Sequence, residues 1–448
     1  MRRDTSLLDA NDVMATLSRH MLVDGYDLVL DLQASHGVWL VDARTRIEYL
    51  DLFSFVASSP LGMNPPQLAS DDAFMRRLAT CAINKPANPD IYTVEYARFV
   101  ATFARVLGDP ALPYLFFIDG GALAVENALK AAFDWKARRQ LVRGRAPRKD
   151  LQVLHLDRAF HGRSGYTLAL TSTKAVQTEF FPTFAWPRIP IPAARFPLEA
   201  NLEANRTAER SALDAARAAF DAADDGIACF IAETIQGEGG DNHMRSEFLH
   251  AMQQLCRDHD ALFVLDEVQV GCGATGEAWA YQHFDLEPDL VVFGKKTQVC
   301  GVMGGRRLQE VPDNVFCVSS RISSTWGGNL TDMVRATRIL EVIEGERLFD
   351  AAARRGAYLL DGLHALAAQF PRALDNVRGR GLLCAVDLPD GRARDALVHS
   401  MFADEHAIIL PCGPRSIRFR PALTIAEGEI DAALERLGRC LRKAPWVA

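Results

Sequence analysis

Short apolar runs alternate with helical patterns through the middle of the chain. Each run stops at a charged residue or a glycine, as is typical of buried parallel strands, and the stretches between the runs have helical spacing. Strands are predicted at residues 115–118, 151–156, 227–232, 262–265 and 289–293, and helices at residues 122–139, 201–223 and 246–258. Strands that alternate with helices indicate βαβ units and a mostly parallel sheet.

The two ends of the chain have a different pattern. Near the N-terminus a helical period over residues 7–22 precedes strand-like stretches, and the loop FVASSPLGMNPP follows them. After residue 328, long helical segments and short strands are mixed. The predicted strand-like and helical segments are 28–32, 37–41 and 49–55 at the start, and 332–344, 348–370, 377–388, 392–402, 408–410 and 427–441 at the end.

These patterns predict an α/β protein with a large domain and a small α+β domain. The large domain has a mostly parallel central sheet flanked by helices, and the N- and C-terminal segments form the small domain. The expected division is an N-terminal segment over residues 1–62, the large domain over 63–328 and the C-terminal small domain over 329–448. The proline-spaced run over residues 182–197 is predicted to be irregular surface chain.

Two of the predicted central strands stop at residues with useful chemistry. The run before Asp266 ends in a carboxylate, and the run before Gly294 leads to an amine at Lys295. Open α/β sheets bind ligands at the carboxyl edge of their strands, so both groups are expected at one cleft. A lysine for a Schiff base and an aspartate that keeps a pyridine nitrogen protonated are the pair that a pyridoxal 5′-phosphate enzyme needs.

The lysine of this pair is one of two neighbours, Lys295 and Lys296. In extended chain their side chains point to opposite faces, so only one reaches the cofactor. A lysine at the end of a strand is by itself more often a surface residue with a buried stem. The buried aspartate at Asp266 changes that expectation because it needs a cationic partner. We predict that Lys295, directly after Gly294, is the reactive residue.

Further candidates lie at other predicted strand ends. Gly121 and Ala122, with Gly120 before them, open a helix whose free N–H groups suit a phosphate, although many ordinary strand-to-helix turns read the same way. Phe160 is either a core aromatic or a ring that stacks on the cofactor. Arg163 is either a surface charge or a carboxylate clamp. Gln269 is either a turn residue or a hydrogen-bond partner of the cofactor's phenolic oxygen.

Three more candidates come from loops and from the C-terminal segment. In the run SRISSTWGGN, Ser324 or Thr325 has a hydroxyl that suits a phosphate. Glu238 lies in QGEGG after a strand end, where a solvated loop acid is the ordinary expectation. Arg418 alternates with apolar neighbours in SIRFRPAL, so it is either an exposed strand arginine or a second carboxylate clamp.

Composition and net charge limit the kinds of binding partner and metal site that are expected. The 448 residues are 49% hydrophobic and 24% charged, with a net charge of −7, which argues against nucleic acid or an anionic membrane as the main partner. Nine scattered cysteines without CxxC spacing favour a reduced, cytoplasmic protein with inert thiols. No metal site is expected, since the eleven histidines form no HExxH or HxH cluster.

Taken together, these segments resemble the class III pyridoxal-phosphate aminotransferases of fold type I. The matching segments, in the order of that family, are GGALAVENALKAA, FHGRSGYT, ETIQGEGG, LFVLDEVQVGCGATG, DLVVFGKK, STWGGN, VRGRGLL and IRFRPAL. Other segments, among them FVASSPLGMNPP, INKPANPDIYT and FGKKTQVCGVMGGRR, resemble the lysine 6-aminotransferase branch. Thr234 and Ser323 depart from the pattern, which usually has proline and asparagine at these positions.

The resemblance implies a role for each cofactor-binding candidate. Lys295 is the Schiff-base lysine and moves the proton between substrate and cofactor. The other implied cofactor contacts are Asp266 at the pyridine nitrogen, Gln269 at the phenolic oxygen, Phe160 on the ring face, and Gly121 and Ala122 at the phosphate. Thr325 is expected to reach that phosphate from the neighbouring subunit, which implies a homodimer with its site at the interface.

The resemblance also implies how two substrates share one pocket. Arg163 is expected to bind the α-carboxylate of lysine, and Arg418 that of 2-oxoglutarate or glutamate. Glu238 is expected to mask Arg418 in the first half-reaction and to move away in the second. Such an enzyme transfers the ε-amino group of L-lysine to 2-oxoglutarate by a ping-pong mechanism, giving 2-aminoadipate 6-semialdehyde, which cyclises, and glutamate.

Three alternatives stay open at this point. Ornithine or 4-aminobutyrate are rival amino donors, because one methylene changes binding by only about 1–3 kcal/mol. An aminomutase or a decarboxylase on the same fold would need no 2-oxoglutarate. A cofactor-binding regulator would keep the fold without turnover, but the intact set of four residues argues against it, namely Asp266, Lys295, Arg163 and Arg418.

Overall fold

The computed structural model describes residues 8–444, which form fourteen strands, thirteen α-helices and five short 3₁₀ segments. The strands are β1 (Trp39–Val41), β2 (Glu48–Asp51), β3 (Tyr114–Ile118), β4 (Gln152–Leu156), β5 (Arg188–Ile189), β6 (Ile227–Glu233), β7 (Leu262–Asp266), β8 (Leu290–Phe293), β9 (Cys300–Gly304), β10 (Asp375–Arg380), β11 (Leu383–Asp387), β12 (Ala407–Ile408), β13 (Leu410–Cys412) and β14 (Ser416–Phe419). The helices are α1 (Val13–Ser18), α2 (Ser54–Ala57), α3 (Pro66–Ala69), α4 (Asp72–Ile83), α5 (Val94–Val106), α6 (Gly121–Val142), α7 (Gly165–Leu170), α8 (Leu202–Ala223), α9 (Ser246–Asp258), α10 (Leu330–Gly345), α11 (Leu348–Gln369), α12 (Gly391–Ala403) and α13 (Glu427–Lys443).

A seven-stranded sheet forms the centre of the protein, in the order β3-β9-β8-β7-β6-β4-β5. All its strands run parallel except β9, which pairs antiparallel with both β3 and β8. The middle strands β6, β7 and β8 are buried along their whole length, because helices cover both faces of such a sheet. The predicted α/β class with a mostly parallel sheet is therefore confirmed.

Register places the candidate residues along one edge of this sheet. Glu233, the last residue of β6, pairs with Asp266, the last residue of β7, and Asp266 pairs with Val292 on β8. Lys295 follows β8 by two residues. The carboxyl ends of three adjacent parallel strands thus present their terminal side chains to one cleft, as the strand pattern predicts.

Two parts of the central sheet differ from the sequence expectation. β9 lies between β3 and β8, although no strand was predicted there, because its CGVMG run is short and rich in glycine. The run over residues 182–197 is not irregular throughout, and that prediction was wrong at Arg188–Ile189, which forms β5. An edge strand tolerates the flanking prolines because only one of its sides pairs, and β5 is such an edge.

The terminal segments form two smaller sheets. β1 and β2 from the N-terminal segment pair with β12 from the C-terminal segment, and β10, β11, β14 and β13 form an antiparallel sheet. Residues 28–32 are not the predicted strand, since Leu30 makes only an isolated bridge to Asp42. The helix expected over 7–22 is confined to a 3₁₀ turn and α1, and residue 7 lies outside the described part. The division at 62/63 and 328/329 stays a prediction.

The short segment α2 is an unusual backbone feature between β2 and the central sheet. Its four residues all have positive φ, from 40° to 64°, and none is glycine. Left-handed turns of this kind are strained, so neighbouring contacts must hold them. Asp51 accepts a hydrogen bond from the Ser54 amide at 2.7 Å, and the Ser54 hydroxyl donates to the Arg420 carbonyl at 2.5 Å.

Among residues 8–444, no helix is long and apolar enough to cross a membrane.

Candidate active site

A cavity of about 500 Å³ opens at the carboxyl ends of β6, β7 and β8. Seven of the ten predicted site residues line it: Gly121, Ala122, Phe160, Arg163, Asp266, Gln269 and Lys295. Glu238 and Arg418 lie directly behind Gln269, since Arg418 donates to the Gln269 side-chain oxygen at 2.7 Å and to Glu238 at 2.5 Å. The structure therefore gathers nine of the ten residues in and around one cavity.

The two lysines at the end of β8 have separate environments. The strand stops at Phe293, and Lys295 begins a 3₁₀ turn with φ +55°, so the prediction of extended chain at this doublet was wrong. The turn still separates the side chains. Lys295 lines the cavity, whereas Lys296 is buried and donates to the Gln269 carbonyl at 3.2 Å.

Both amines lose basicity in these environments. Burial, followed by the nearby positive charge of Arg418, lowers the pKa of Lys295 to about 8. Burial lowers the pKa of Lys296 to about 7. A lysine with a pKa of about 8 is partly uncharged near neutral pH, and only the uncharged amine is a nucleophile. Lys295 is the one of the two that combines this property with access to the cavity.

Asp266 is a buried carboxylate with spare acceptor capacity. Its Oδ2 atom lies 2.8 Å from Nδ1 of His161, and its Oδ1 atom accepts the Val268 amide at 3.0 Å. Two carboxylate oxygens have about four lone-pair positions, so the cavity side of Asp266 can accept a further donor. Within residues 8–444, His161 is the only side chain at ion-pair distance from it. Asp266 is thus placed to hold a cationic group of a ligand.

The N-terminus of α6 forms another wall of the cavity. Gly120 precedes the helix with φ +97°, and Gly121 and Ala122 are its first residues. A Cβ atom on Gly162, at φ +127°, would lie 2.6 Å from the Ala122 side chain, so the loop before α7 packs directly on this helix start. Unpaired N–H groups and the positive end of the helix dipole favour an anion here.

Phe160 and Arg163 come from the loop between β4 and α7, which we call the aromatic loop (residues 157–164). Both side chains line the cavity, and the Arg163 guanidinium is 5.9 Å from the centre of the Phe160 ring. Among the described residues, no carboxylate lies at ion-pair distance from Arg163, in contrast to Arg418, which pairs with Glu238. Arg163 is therefore available for a carboxylate on a ligand.

Arg418 differs from Arg163 because it already forms an ion pair with a glutamate. Arg418 is only 1% exposed, and Glu238 pairs with it at 2.5 Å from a loop that we call the Glu238 loop (residues 236–242). Burial opposes the ionisation of Glu238, but Arg418 keeps the pKa of this carboxyl below its usual value. The Glu238 side chain is 27% exposed. Of the two partners, Glu238 is the one with room to move.

Comparison with known proteins identifies the family. The model of the class-III aminotransferase family matches residues 22–441. The chain belongs to the class-III aminotransferases. This class-III aminotransferase is 66% identical over 434 residues to the L-lysine-epsilon aminotransferase of Streptomyces clavuligerus, covering 97% of this chain and 95% of that protein. It is 65% identical over 433 residues to the enzyme of the same name from Amycolatopsis lactamdurans, covering 97% of this chain and 96% of that protein.

A solved structure agrees with these relatives. The lysine aminotransferase from M. tuberculosis in the internal aldimine form superposes with a TM-score of 0.95 at 57% identity, covering 98% of this chain and 100% of that chain. Class-III aminotransferases use pyridoxal 5′-phosphate, as the sequence analysis expected. The predicted family, fold and cofactor are therefore confirmed.

The residues present in this aminotransferase fit that cofactor. The helix start at Gly121 and Ala122 offers N–H groups for the phosphate, the Asp266 carboxylate has capacity for a protonated ring nitrogen, and Lys295 offers an amine. The packing of Gly162 against Ala122 leaves no space for a side chain where the loop meets the helix start. These are the contacts by which the chain would hold the cofactor.

Two residues of the aminotransferase pocket were not predicted. His161 was noted only as part of a motif, yet its Nδ1 atom supports Asp266, and its Nε2 atom is buried with no partner among residues 8–444. Glu233 was not considered, although it lines the cavity. The signal for Glu233 was present, because it ends the buried run IACFIAE just as Asp266 ends LFVLD.

The two residues that depart from the family pattern lie in different environments. Thr234 donates its hydroxyl to the buried Glu267 at 2.6 Å, and Ser323 is exposed.

The Glu238 loop is anchored to the small sheet by two buried arginines. Arg420 pairs with Asp241 at 2.5 Å, and Arg378 donates to the carbonyls of Gly240 and Asp241 at 2.6 and 2.8 Å. Both side chains of the Arg420–Asp241 pair are at most 3% exposed. The C-terminal end of the loop is therefore held while the Glu238 side chain remains partly exposed.

Asp241→Ala is expected to lower the free energy of unfolding by about 3–5 kcal/mol, because it leaves the buried Arg420 guanidinium without its carboxylate. Urea denaturation monitored by circular dichroism measures this change. Asp214→Ala removes the partner of Arg217 in a pair whose side chains are 75% and 57% exposed, so it should cost less than about 1 kcal/mol. Equal losses in the two variants would contradict the anchoring role of Asp241.

Proposed function

We propose that this class-III aminotransferase transfers the ε-amino group of L-lysine to 2-oxoglutarate, giving 2-aminoadipate 6-semialdehyde and L-glutamate. The observation that carries the proposal is the unequal state of the two site arginines. Arg163 lines the cavity with no carboxylate paired to it among the described residues, whereas Arg418 is covered by Glu238. The names of the similar L-lysine-epsilon aminotransferases support the same substrate.

The open arginine accounts for the choice of nitrogen in the first half-reaction. Arg163 binds the α-carboxylate of lysine, so the distal ε-amine, and not the α-amine, reaches the reacting end of the cavity beside Lys295. If Arg418 were uncovered, it would attract the same carboxylate and present the α-amine instead. Glu238 prevents this, because a paired guanidinium has its charge and its donors already occupied.

In both half-reactions, Lys295 is the proposed proton-transfer group and Asp266 is the proposed partner of the cofactor's ring nitrogen. When bound, pyridoxal 5′-phosphate supplies an electron sink for the carbon that bears the transferred nitrogen. Asp266 would hold the protonated ring nitrogen, with His161 positioning the carboxylate from the other side. The Lys295 amine would take the proton from the ε-carbon of lysine and would hold it for return in the same half-reaction. A pKa near 8 suits it for both directions of transfer.

In the second half-reaction Arg418 receives its own substrate. Glu238 moves away, and Arg418 binds the α-carboxylate of 2-oxoglutarate while Arg163 binds the distal one. The α-carbon of the oxoacid then occupies the reacting position, and glutamate leaves. The aldehyde formed from lysine closes onto its own α-amine as a six-membered ring without help from the protein.

A half-reaction titration tests the proposed function. Lysine alone, added to the holoenzyme, is expected to remove the visible absorbance of the bound cofactor, and 2-oxoglutarate is expected to restore it. Parallel titrations with ornithine and 4-aminobutyrate rank the amino donors, and turnover without an oxoacid would indicate an isomerase. If lysine leaves the spectrum unchanged, or ranks below ornithine or 4-aminobutyrate, the proposal fails.

The active unit is proposed to be a homodimer in the cytoplasm, and an exposed apolar surface supports the dimer. Ile83, Tyr92 and Val94 are each at least 78% exposed. This surface borders the segment that contains Thr325, because Asn88 donates to the Gly328 carbonyl at 3.1 Å. Large exposed apolar patches mark interaction sites, and a second copy of the chain is the proposed partner.

Thr325 itself is exposed and does not line the cavity of its own chain. This position supports the proposal that its hydroxyl serves the phosphate in the neighbouring subunit. Thr325→Ala should then weaken cofactor binding by about 10-fold, the effect of one lost hydrogen bond to a charged group.

A mixed dimer of one Lys295→Ala subunit and one Thr325→Ala subunit tests this arrangement. If Thr325 acts across the interface, the mixed dimer has one complete site and should recover about half of the wild-type activity at low cofactor concentration. Differently tagged subunits allow its purification. A mixed dimer of Lys295→Ala and Asp266→Ala subunits is the control and should stay inactive, since both residues belong to one cavity. No recovery in the first dimer would place Thr325 within its own subunit's site, and unchanged cofactor binding by the Thr325→Ala homodimer would place it outside both sites.

A further inference from the structure

Glu233 is a buried carboxylate whose two oxygens hold two different loops. Its Oε1 atom accepts the amide of Phe160 in the aromatic loop at 3.0 Å, and its Oε2 atom accepts the amide of Gly237 in the Glu238 loop at 2.9 Å. The side chain is 6% exposed and lines the cavity at the end of β6. One side chain thus lies between the residue next to the cofactor ring and the residue before Glu238.

Each of these loops packs tightly on a different part of the site. In the aromatic loop, a Cβ atom on Gly162 would lie 2.6 Å from Ala122 at the start of α6. In the Glu238 loop, a Cβ atom on Gly237 would lie 2.2 Å from the Gln269 side-chain oxygen, the atom that accepts the hydrogen bond from Arg418. A displacement of the aromatic loop would therefore disturb the start of α6 at Ala122. A displacement of the Glu238 loop would disturb the contact between Gln269 and Arg418.

We propose that Glu233 is a positioning residue that fixes the aromatic loop and the Glu238 loop relative to each other. Through this connection the geometry of the cofactor seat and the pairing of Glu238 with Arg418 are set together. The second part of this inference rests on the proposed function, and the first part does not. The connection depends on the Glu233 side chain, because each of its two oxygens accepts the amide of a different loop.

The charge state of Glu233 agrees with this role. Burial raises its pKa to about 7, and the nearby Asp266 carboxylate acts in the same direction. His161 and the amides of Gly237 and Phe160 oppose the rise. Above that pH the carboxylate is ionised and both oxygens accept, so the experiments below are made at about pH 8.

A second hydrogen bond joins the same two loops and limits how far they are expected to move when Glu233 is altered. The Gln236 side chain donates to the Asp157 carbonyl at 2.8 Å, near the start of both loops. This hydrogen bond keeps the loops together at their base when Glu233 is altered. A change at Glu233 is therefore expected to displace the site-facing residues of the loops and to leave the fold intact.

Glu233→Gln is the main test, because a neutral amide has one acceptor oxygen and cannot accept both backbone amides. The first measurement is the dissociation constant of the cofactor, by equilibrium dialysis, which should rise about 10-fold for one lost hydrogen bond to a charged group. The second is the ratio of kcat/KM for lysine to kcat/KM for 2-oxoglutarate, which should fall about 5-fold as Glu238 pairs less well with Arg418, mainly through KM for lysine.

Glu267→Gln is the matched control. Glu267 is also buried at the end of β7, and burial also raises its pKa to about 7. It likewise accepts two backbone amides, those of Ala280 and Tyr281, but it does not line the cavity. Both variants should lose similar thermal stability, whereas only Glu233→Gln should change the cofactor dissociation constant and the substrate ratio.

The outcomes separate this inference from the proposed function. Wild-type values for either measurement in Glu233→Gln, or the same changes in Glu267→Gln, would overturn the positioning role. If Glu233→Gln does not fold, Glu233→Asp keeps both oxygens but shortens their reach, and it must change both measurements in the same direction. If the wild-type enzyme itself prefers another amino donor, the proposed function fails, while the cofactor dissociation constants still test the connection between the loops.

Discussion

Lys295→Ala is expected to reduce transamination by about 10²- to 10⁴-fold, the range found when a positioned proton-transfer group is removed. The reason is that Lys295 is the amine that lines the cavity, with a pKa of about 8 because of burial and the nearby Arg418. Steady-state kinetics with lysine and 2-oxoglutarate measure the loss. Borohydride reduction followed by peptide mapping should also find the cofactor attached to Lys295 in the wild-type protein and to no residue in the variant.

Lys296→Met is the control for the doublet. Lys296 is buried, and its Nζ atom donates to the Gln269 carbonyl and not into the cavity. The variant should therefore keep the cofactor attached to Lys295, and its turnover should stay within about 10-fold of the wild type, the effect of one hydrogen bond. Attachment at Lys296, or a larger loss in Lys296→Met than in Lys295→Ala, would exchange the roles of the two residues.

Glu238→Ala is expected to change which nitrogen of lysine is transferred. Without its carboxylate partner, the buried Arg418 attracts the α-carboxylate of lysine and brings the α-amine to the reacting position. The preference for the ε-nitrogen should fall by about 10- to 100-fold, the equivalent of one hydrogen bond between charged groups. Lysine labelled with ¹⁵N at either the α or the ε position reports the transfer directly, because the label appears in glutamate.

A graded variant separates charge from shape in this experiment. Glu238→Gln retains a hydrogen bond to Arg418 without the negative charge, so it should lie between the wild type and Glu238→Ala. The pH should be held constant, since Arg418 lowers the pKa of Glu238 and the carboxylate is ionised at neutral pH. If the ¹⁵N distribution is the same in all three proteins, Glu238 does not control access to Arg418.

The parts of the site that were predictable are those carried by buried strands. Asp266 and Lys295 were found because a charged residue after an apolar run marks the carboxyl end of a parallel strand. The same rule applied to Glu233, but its role depends on joining the nearby amide of Gly237 to the amide of Phe160, which is 73 residues away in sequence. No local pattern contains such contacts. The assignment of roles to Arg163 and Arg418 came from a family resemblance and not from spacing.

The parts of the fold that were missed share a different cause. β5 and β9 are short, and proline or glycine hides their strand character, so pairing with a neighbouring strand decides their structure. At the lysine doublet the local prediction of extended chain was wrong, because Lys295 takes up a positive φ in a 3₁₀ turn. The side chains nevertheless diverge, since the surrounding packing buries Lys296 and leaves Lys295 at the cavity.

By itself, the sequence determined the fold class and pointed to the cofactor, because hydrophobic periodicity and the residues at strand ends are local properties, and the resemblance of its motifs indicated the family. Only the tertiary structure shows that Arg163 is open and Arg418 is covered, an arrangement that the family resemblance implied and that no local pattern contains. Glu238 and Arg418 are 180 residues apart, and the pairing of a partly exposed loop acid with a buried strand arginine follows from how the small sheet packs against the large one. In the proposed reaction, the choice of substrate nitrogen depends on that pairing, because the two side chains meet only when the chain is folded.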